Sequence, residues 1–396
     1  MTREIPPVRF AGLDAVRGLA ATAVLAVHSV GIYARGAGDD TLRPWITRLD
    51  VAAPVFFLLS GFLLYRPYVR ARREGRPVPR ARTFLWRRAL RILPAYWVAL
   101  TVALLALSLP GVLTATGVVR HYGLLQGYDS DWVGGGLPHA WTLTIEVAFY
   151  AFLPVWALAV RRIAPGIGLG GELRTLLVLV AISVAWKAVA LAAIVDPYVT
   201  ALDPWLIAFP AHADQIALGM ALAVASVRWQ ERGSAPGWVA AWPAWWWLAA
   251  FALYAVSALA AGLDDVDERG FTHEQFVVRH VLHAAIAACV LVPAVVGHGL
   301  PARFLGVRPL RRLGTISYSF YLYHLTVLGV LGLWGLDALE DVVHPYVLWF
   351  GASFLGTLLL AELSWRLVEA PALALKRLAG PRLPPRGARP ARAPRG

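Results

Sequence analysis

The sequence has little charge and almost no cysteine. Only 15% of its 396 residues are charged, with 24 acidic against 37 basic side chains, and Cys289 is the single cysteine. One cysteine excludes an intramolecular disulfide, and the apolar run around it makes Cys289 a packing residue. The sequence contains no metal-ligand spacing, phosphate-binding glycine loop or nucleophile elbow. We therefore expect no metal cofactor.

Apolar residues dominate instead. They make up 58% of the chain, which includes 17 tryptophans, a composition too apolar for a soluble protein of this length. A net charge of +13 would suggest nucleic acid in a soluble protein. Here the arginines cluster in short segments between apolar runs, which is the positive-inside pattern of membrane proteins. We expect contact with a lipid bilayer and no nucleic-acid partner.

Ten apolar runs are long enough to cross a bilayer as helices of about 20 residues. They are 12–34, 50–66, 84–109, 139–160, 172–195, 204–227, 238–262, 276–298, 313–334 and 344–368. The connection after the second run holds many arginines against the single Glu74, which predicts a cytoplasmic location. The fold class is thus all-α, a polytopic membrane helix bundle with about ten transmembrane helices and both termini cytoplasmic, expected in a bacterial plasma membrane.

The runs belong to one transmembrane domain, residues 1–371. Residues 372–396 are rich in Pro and Arg and have too little apolar surface to fold, so they are expected to form a disordered cytoplasmic tail. Residues 111–138 form the longest external connection and are predicted to cover the outer mouth of a cavity. The chain shows no internal repeat, which weakens an interpretation as a transporter built from duplicated halves.

The first run carries ionisable side chains at Asp14, Arg17 and His28. Such groups are costly inside a spanning helix, so they normally face the protein interior and mark a site. Arg17 and His28 are eleven residues apart, so they share one helix face at roughly 16 Å along the axis. This geometry suits a long ligand, and the two residues also argue against a cleavable signal peptide. The alternative is that His28 simply bonds a neighbouring helix.

Further ionisable residues are expected near the middle or outer half of the bundle, as in a buried polar site. They are Glu146, Lys187, His212, Asp214 and His324. Lys187 with Asp214 is interpreted as a structural ion pair, and His280 and His283 as interfacial residues.

Two arginines at the start of the third run form a second candidate site. Arg88 and Arg91 are three residues apart and share a helix face that points from the cytoplasmic end into the bundle. Paired arginines bind phosphates by charge-assisted hydrogen bonds. We expect them to hold the phosphates of a cytoplasmic cofactor.

An ordered set of motifs resembles the integral-membrane acyltransferase 3 family over nearly the whole chain, from about Phe10 to Pro371. The motifs are Leu13–Ala20 with Arg17 and His28, Phe56–Phe62, Arg88–Pro94, Trp141–Tyr150, Ile316–His324 and Glu369–Pro371. Departures are small: Thr142 stands where many members have Ser, and Tyr323 where Trp is frequent.

The resemblance implies transfer of an acyl group, often acetyl, from cytoplasmic acyl-CoA to a hydroxyl of a carbohydrate or glycolipid acceptor at the outer face. It implies that His28 and Arg17 lie at the active site, with Arg88 and Arg91 near the CoA phosphates. Members that carry a fused extracytoplasmic esterase-like domain are longer, and we expect none in this chain. The acceptor is therefore expected to be handled by the membrane domain or by a separate partner.

A mechanism follows from these assignments. The pantetheine arm passes Arg17, and neutral His28 takes the proton of the acceptor hydroxyl while Glu146 orients the imidazole or the acceptor. Candidate donors to the oxyanion, in order of preference, are Ser60, Tyr150, Tyr318 and His324. Direct transfer and a covalent acyl-histidine stay open. The competing classes are a transporter or flippase of a glycan or lipid-linked substrate, and a structural membrane scaffold.

Overall fold

The computed structural model describes residues 10–34, 41–163, 166–200, 202–260 and 270–376. In this part of the chain ten helices have 17 or more residues. They are α1 Ala11–His28, α2 Ala52–Arg73, α3 Ala81–Leu107, α4 Trp141–Ile163, α5 Leu169–Ala193, α6 Ala213–Arg232, α7 Pro243–Leu259, α8 His273–Val296, α9 Arg308–Leu333 and α10 Pro345–Ser364.

Shorter elements connect the long helices. The short α-helices are Arg43–Thr47, Ala115–Tyr122, Gly237–Ala240, Gly299–Leu305 and Ala370–Ala374, and π-helical turns at Ser29–Tyr33 and Trp365–Glu369 extend α1 and α10. The 3-10 turns are Arg48–Val51, Pro110–Leu113, Gln126–Tyr128, Pro138–Ala140, Phe209–His212 and Leu336–Leu339. Two short strands, Tyr198–Val199 and Phe271–Thr272, pair antiparallel.

Eight of the helical segments are long and apolar enough to cross a membrane, which confirms an all-α, multi-pass membrane helix bundle. The remaining two predicted spans, 204–227 and 238–262, are not among these eight segments. The span 204–227 begins as turns, continues as the 3-10 turn Phe209–His212 and becomes α-helical only at Ala213. Its helix α6 ends in a charged segment. In place of the span 238–262, α7 is a shorter apolar helix of 17 residues.

The basic connections meet at one end of the bundle, here named the arginine end. Ion pairs join its elements: Arg73 to Glu231 at 2.7 Å, Arg91 to Glu369 at 2.8 Å and Arg312 to Glu362 at 3.0 Å. These pairs link α2 to α6, α3 to the end of α10, and α9 to α10. The arrangement agrees with the charge pattern that predicted a cytoplasmic side. The opposite end, which holds His28, is named the histidine end.

Close helix crossings at glycines form the centre of the bundle. A Cβ at Gly314 on α9 would overlap the Asp14 carbonyl of α1, and a Cβ at Gly18 would meet the α9 backbone. Gly61 on α2 and Gly219 on α6 allow a similar approach. Small residues at such positions let helix backbones pack closely in membranes. The α1–α9 crossing fixes the two helices that carry Arg17 and His324.

The connection 111–138 is folded onto the histidine ends of α3 and α4. The Tyr96 hydroxyl of α3 donates to the His121 carbonyl at 2.6 Å and accepts from the Gln126 amide at 3.3 Å. Leu124 and Leu137 are buried. At the other terminus the chain stays helical through Lys376, five residues into the predicted tail, and the tail beyond it lies outside the described residues.

Replacing Gly314 with alanine should destabilise the bundle, because the new Cβ would overlap the backbone of α1. We expect a loss of about 1–3 kcal/mol, as for other overpacked cores. The measurement is thermal unfolding of the purified protein in detergent micelles. Gly351→Ala is the matched control, since a Cβ there meets no atom within 4 Å, and it should leave stability equal or higher. Equal stability of both variants would contradict the close crossing.

Candidate active site

A cavity of about 380 Å³ lies between α1, α2, α3, α4 and α9. Its lining includes seven of the nine predicted site residues, namely Arg17, Ser60, Arg88, Arg91, Glu146, Tyr150 and Tyr318. The residues come from five helices that are far apart in sequence. The bundle thus brings these predicted residues into one polar cavity, whereas His28 and His324 lie outside its lining.

The arginine end of the cavity is strongly basic. Arg91 is paired with Glu369 at 2.8 Å, and Arg17 makes a long contact of 3.4 Å with Asp14. Arg88 has no ion pair with any residue that the structure describes, and its guanidinium lies 5.8 Å from the centre of the Tyr150 ring. Such a guanidinium has free N–H groups for a bidentate contact with a phosphate.

Lys376 also lines the cavity. It follows Glu369 by seven residues, which is about two helical turns, so both lie on the face of the chain that meets α3. Burial, and then repulsion from Arg88, Arg91 and Arg87, lowers the pKa of Lys376 to about 8. Sequence analysis placed this residue in the tail. The only sequence feature that could have placed Lys376 at the cavity was its helical spacing from Glu369.

Glu146 holds two of the predicted oxyanion donors. Its carboxylate accepts from the Ser60 hydroxyl at 2.9 Å and from the Tyr150 hydroxyl at 2.6 Å. Glu146 was expected to orient the His28 imidazole or the acceptor; in the structure its carboxylate is engaged with these two hydroxyls. The Tyr318 hydroxyl donates to the Ile92 carbonyl at 2.9 Å. All three hydroxyl protons are therefore engaged within the protein.

His28 and His324 form a hydrogen-bonded pair beyond the deep end of the cavity. His28 Nδ1 lies 2.9 Å from His324 Nε2, and His324 Nδ1 lies 2.5 Å from the Tyr321 carbonyl oxygen. A carbonyl only accepts, so His324 Nδ1 carries a proton and its Nε2, in the neutral ring, accepts from His28. His28 is then protonated at Nδ1 and has a free lone pair at Nε2. This is the tautomer of a general base.

Three further residues separate the cavity from the histidine pair. The Tyr321 hydroxyl donates to the His139 carbonyl at 2.5 Å and lies 2.7 Å from the Thr142 hydroxyl. The His139 ring packs on His324 with 4.5 Å between ring centroids. Thr142 and Tyr321 line the cavity, and Tyr321 lies one helical turn before His324. Sequence analysis missed His139 and Tyr321, because nothing in the local pattern marks contacts between residues about 180 positions apart.

The remaining polar residues of the histidine end are buried between α5, α6 and α8. Lys187 pairs with Asp214 at 2.6 Å, as expected of a structural ion pair, and lies 2.9 Å from His280 Nε2. His280 and His283, expected near the membrane interface, are buried within the protein on the face of α8 that packs against neighbouring elements. No group of three His, Cys, Asp or Glu in the described ranges could hold a metal ion.

Fold and cavity together define a multi-pass membrane protein with a basic internal cavity. A family model described as an acyltransferase domain matches residues 10–366. The chain therefore belongs to the acyltransferase 3 family and is a membrane acyltransferase, as the sequence motifs predicted.

Curated relatives agree with this assignment. The chain is 29% identical over 370 residues to Nodulation protein 10 of Rhizobium leguminosarum bv. viciae, covering 86% of this chain and 87% of that protein. It is 32% identical over 171 residues to Acyltransferase MdmB of Streptomyces mycarofaciens, covering 40% of this chain and 42% of that protein. It is 30% identical over 165 residues to Protein 2 in picA locus of Rhizobium radiobacter, covering 39% and 78%. No solved structure matches.

Arg91 is held by Glu369, and this pair should be structural. Glu369→Ala would leave the Arg91 cation without its partner and is expected to cost about 3–5 kcal/mol in stability. The measurement is chemical unfolding in lipid-detergent micelles. Glu362→Ala is the matched control, because its partners Arg312 and Arg366 are exposed and surface pairs contribute about 1 kcal/mol or less. Equal losses in the two variants would show that the Arg91 pair does not support the fold.

Proposed function

We propose that this acyltransferase moves an acyl group, with acetyl as the first candidate, from cytoplasmic acyl-CoA to a hydroxyl of a carbohydrate-containing acceptor at the outer face of a bacterial plasma membrane. The observation that carries the proposal is the histidine pair beyond a basic cavity. Arg17 and His28 stand on one face of α1, at opposite ends of this arrangement.

The arginine end suits the nucleotide part of acyl-CoA. Arg88 and Lys376 supply positive charge without an ion pair to any residue in the described ranges. The distance from Arg17 to His28, roughly 16 Å by helical rise, is comparable to an extended pantetheine arm. The thioester reaches His28 only after it passes Thr142 and Tyr321 at the deep end of the cavity.

The histidine pair supplies the base. His28 Nε2 takes the proton of the acceptor hydroxyl, and the oxygen attacks the thioester carbonyl carbon. The carbon–sulfur bond breaks, and the departing thiolate recovers the proton from the imidazolium as free CoA. His324 keeps His28 in the correct tautomer and stabilises the imidazolium that forms, because its Nε2 accepts the Nδ1 proton.

The other predicted residues take supporting roles in this proposal. Arg17 lies three helical turns from His28, so it binds and positions the donor arm. Ser60 and Tyr150 are engaged with Glu146, which argues against their use as oxyanion donors. Ser60, Tyr150 and Glu146 together form a fixed polar wall along the path of the donor.

Thiol release from acetyl-CoA by the purified protein in lipid nanodiscs tests the proposal. His28→Ala should lower the rate by about 10²-fold or more, as for loss of a general base, and His298→Ala, an exposed histidine, should not. His324→Ala should lower the rate, and His324→Asn, whose side-chain oxygen can accept from His28, should recover part of it.

Two results would count against the mechanism. Full activity of a folded His28→Ala variant would remove His28 from the chemistry. No thiol release by the wild type with any acceptor would favour the transporter or flippase, which predicts none. The pH–rate profile of the His324 variants distinguishes two roles of His324. A changed profile would indicate control of the His28 tautomer, and an unchanged profile would indicate a packing role.

Lys376 should make donor affinity depend on pH. Because its pKa lies near 8, the side chain is charged below pH 8 and neutral above it. The dissociation constant of acetyl-CoA, measured by calorimetry between pH 7.5 and 9.5, should therefore rise with pH in the wild type. Lys376→Arg should bind with little pH dependence, and Lys376→Met weakly throughout. The same pH dependence in Lys376→Met and the wild type would exclude Lys376 from donor binding.

A further inference from the structure

A second polar cluster lies at the histidine end, outside the lining of the basic cavity. It consists of Asp50, Arg279 and His283, and is named the Asp50 cluster. Arg279 and His283 stand one turn apart on α8, and Arg279 Nη2 donates to the Asp50 carboxylate. His283 Nε2 is 3.5 Å from Asp50 Oδ1, without the geometry of a hydrogen bond.

The Asp50 cluster has polar atoms that the described protein does not satisfy. Arg279 Nη1, His283 Nε2 and Asp50 Oδ1 are buried and have no hydrogen-bond partner there. The Arg279 and His283 side chains are only 7% and 9% exposed, while Asp50 is 34% exposed. Buried polar groups nearly always have partners, so each exception calls for an explanation. A ligand that enters at Asp50 would supply the missing partners.

The neighbouring Lys187 differs from the Asp50 cluster, because the protein satisfies its hydrogen bonds. Lys187 Nζ contacts the Ser183 hydroxyl, the Ala211 carbonyl and the Asp214 carboxylate at 2.6–3.1 Å. Its hydrogen-bonding capacity is filled by the protein itself. A satisfied network of this kind stabilises the fold, whereas the Asp50 cluster keeps free donor and acceptor atoms.

The Asp50 cluster is next to the proposed base. Helix α1 packs against the turn Arg48–Val51 that carries Asp50, and the Asp50 charge acts on the His28 ring. His28 Nδ1 is engaged with His324, so the nitrogen left for an acceptor is Nε2. A molecule held by Asp50 and Arg279 would therefore lie near His28, at the turn that packs against α1.

The chemistry of the cluster matches a molecule with several hydroxyls. Arg279 Nη1 is a donor, Asp50 Oδ1 is an acceptor, and His283 Nε2 serves as either. Sugar hydroxyls both donate and accept, so adjacent hydroxyls of one ring can satisfy all three atoms. Arg279 is held in place by the Phe271 ring, 4.1 Å from its guanidinium carbon to the ring centre. A fixed guanidinium gives directional binding.

We propose that Asp50, Arg279 and His283 form the acceptor subsite and bind the hydroxyls of a sugar ring that neighbour the hydroxyl to be acylated. This inference rests on the proposed function and names the residues at the histidine end that recognise the sugar acceptor. The three residues bind and position the acceptor, while His28 carries out the proton transfer.

The test measures acceptor selectivity of the full-length protein in lipid nanodiscs at saturating acetyl-CoA. The probes are methyl glycosides of glucose, galactose, mannose and rhamnose, with 1-butanol as a hydroxyl compound that has no neighbouring hydroxyls. In the wild type at least one glycoside should react more efficiently than 1-butanol. Asp50→Asn should raise the KM of that glycoside tenfold or more and leave the KM of acetyl-CoA within twofold, and it should lower the efficiency with the glycoside more than the efficiency with 1-butanol.

Further variants separate binding from folding. Asp50→Asn combined with Arg279→Gln removes both charges of this ion pair, and it should show the same loss of glycoside affinity, with thermal unfolding of the variant as the check on its fold. Asp214→Asn is the matched control at the same end of the bundle, and it should leave the glycoside KM unchanged.

The outcomes that overturn the inference are distinct from those that overturn the proposed function. An unchanged glycoside KM in both Asp50 variants, or equal use of 1-butanol and all glycosides by the wild type, would exclude the subsite while acyl transfer stands. Absence of any His28-dependent thiol release, even with water as the acceptor, would contradict the proposed function and the subsite with it.

Discussion

The packing of α1 against α9 is the contact on which the rest of the site depends. Near the arginine end the two helices touch through Gly18 and Gly314, with no space for a side chain between them. Farther along the same pair, His28 meets His324 through a hydrogen bond. Because both contacts involve the same two helices, the crossing that brings Arg17 to the basic cavity also brings His28 within hydrogen-bonding distance of His324.

Two kinds of polar group matter for the proposed site. Groups that the protein satisfies, such as Glu146 with its two hydroxyls and Lys187 with Asp214, hold helices together. Along the proposed substrate path, Arg88, His28 and the Asp50 cluster keep spare hydrogen-bonding capacity. In our proposal they mark the nucleotide, the reacting carbonyl and the acceptor, in that order from the arginine end.

Helical periodicity predicted much of this arrangement, because Arg17 with His28 and Arg88 with Arg91 lie within single helices. Apolar runs likewise located eight spans, whereas 204–227 begins with turns at Pro204 and Pro210 and 238–262 contains a helix of only 17 residues. The partners of these residues could not be predicted. His28 and His324 are 296 positions apart, and Asp50 and Arg279 are 229 apart, so only the packing of the whole bundle joins them. The same reason explains why the contact of Glu146 with Ser60, 86 positions away, was not predicted.

The measurement that tests the account most directly concerns the two sides of the membrane. Sealed inside-out vesicles containing a methyl glycoside would receive radiolabelled acetyl-CoA on their exposed cytoplasmic face. The account predicts that label appears on the enclosed glycoside while CoA thiol is released outside, and that both stop in a folded His28→Ala variant. Label that forms only on acceptor added to the acetyl-CoA side would contradict transfer across the bilayer through the cavity and the histidine pair.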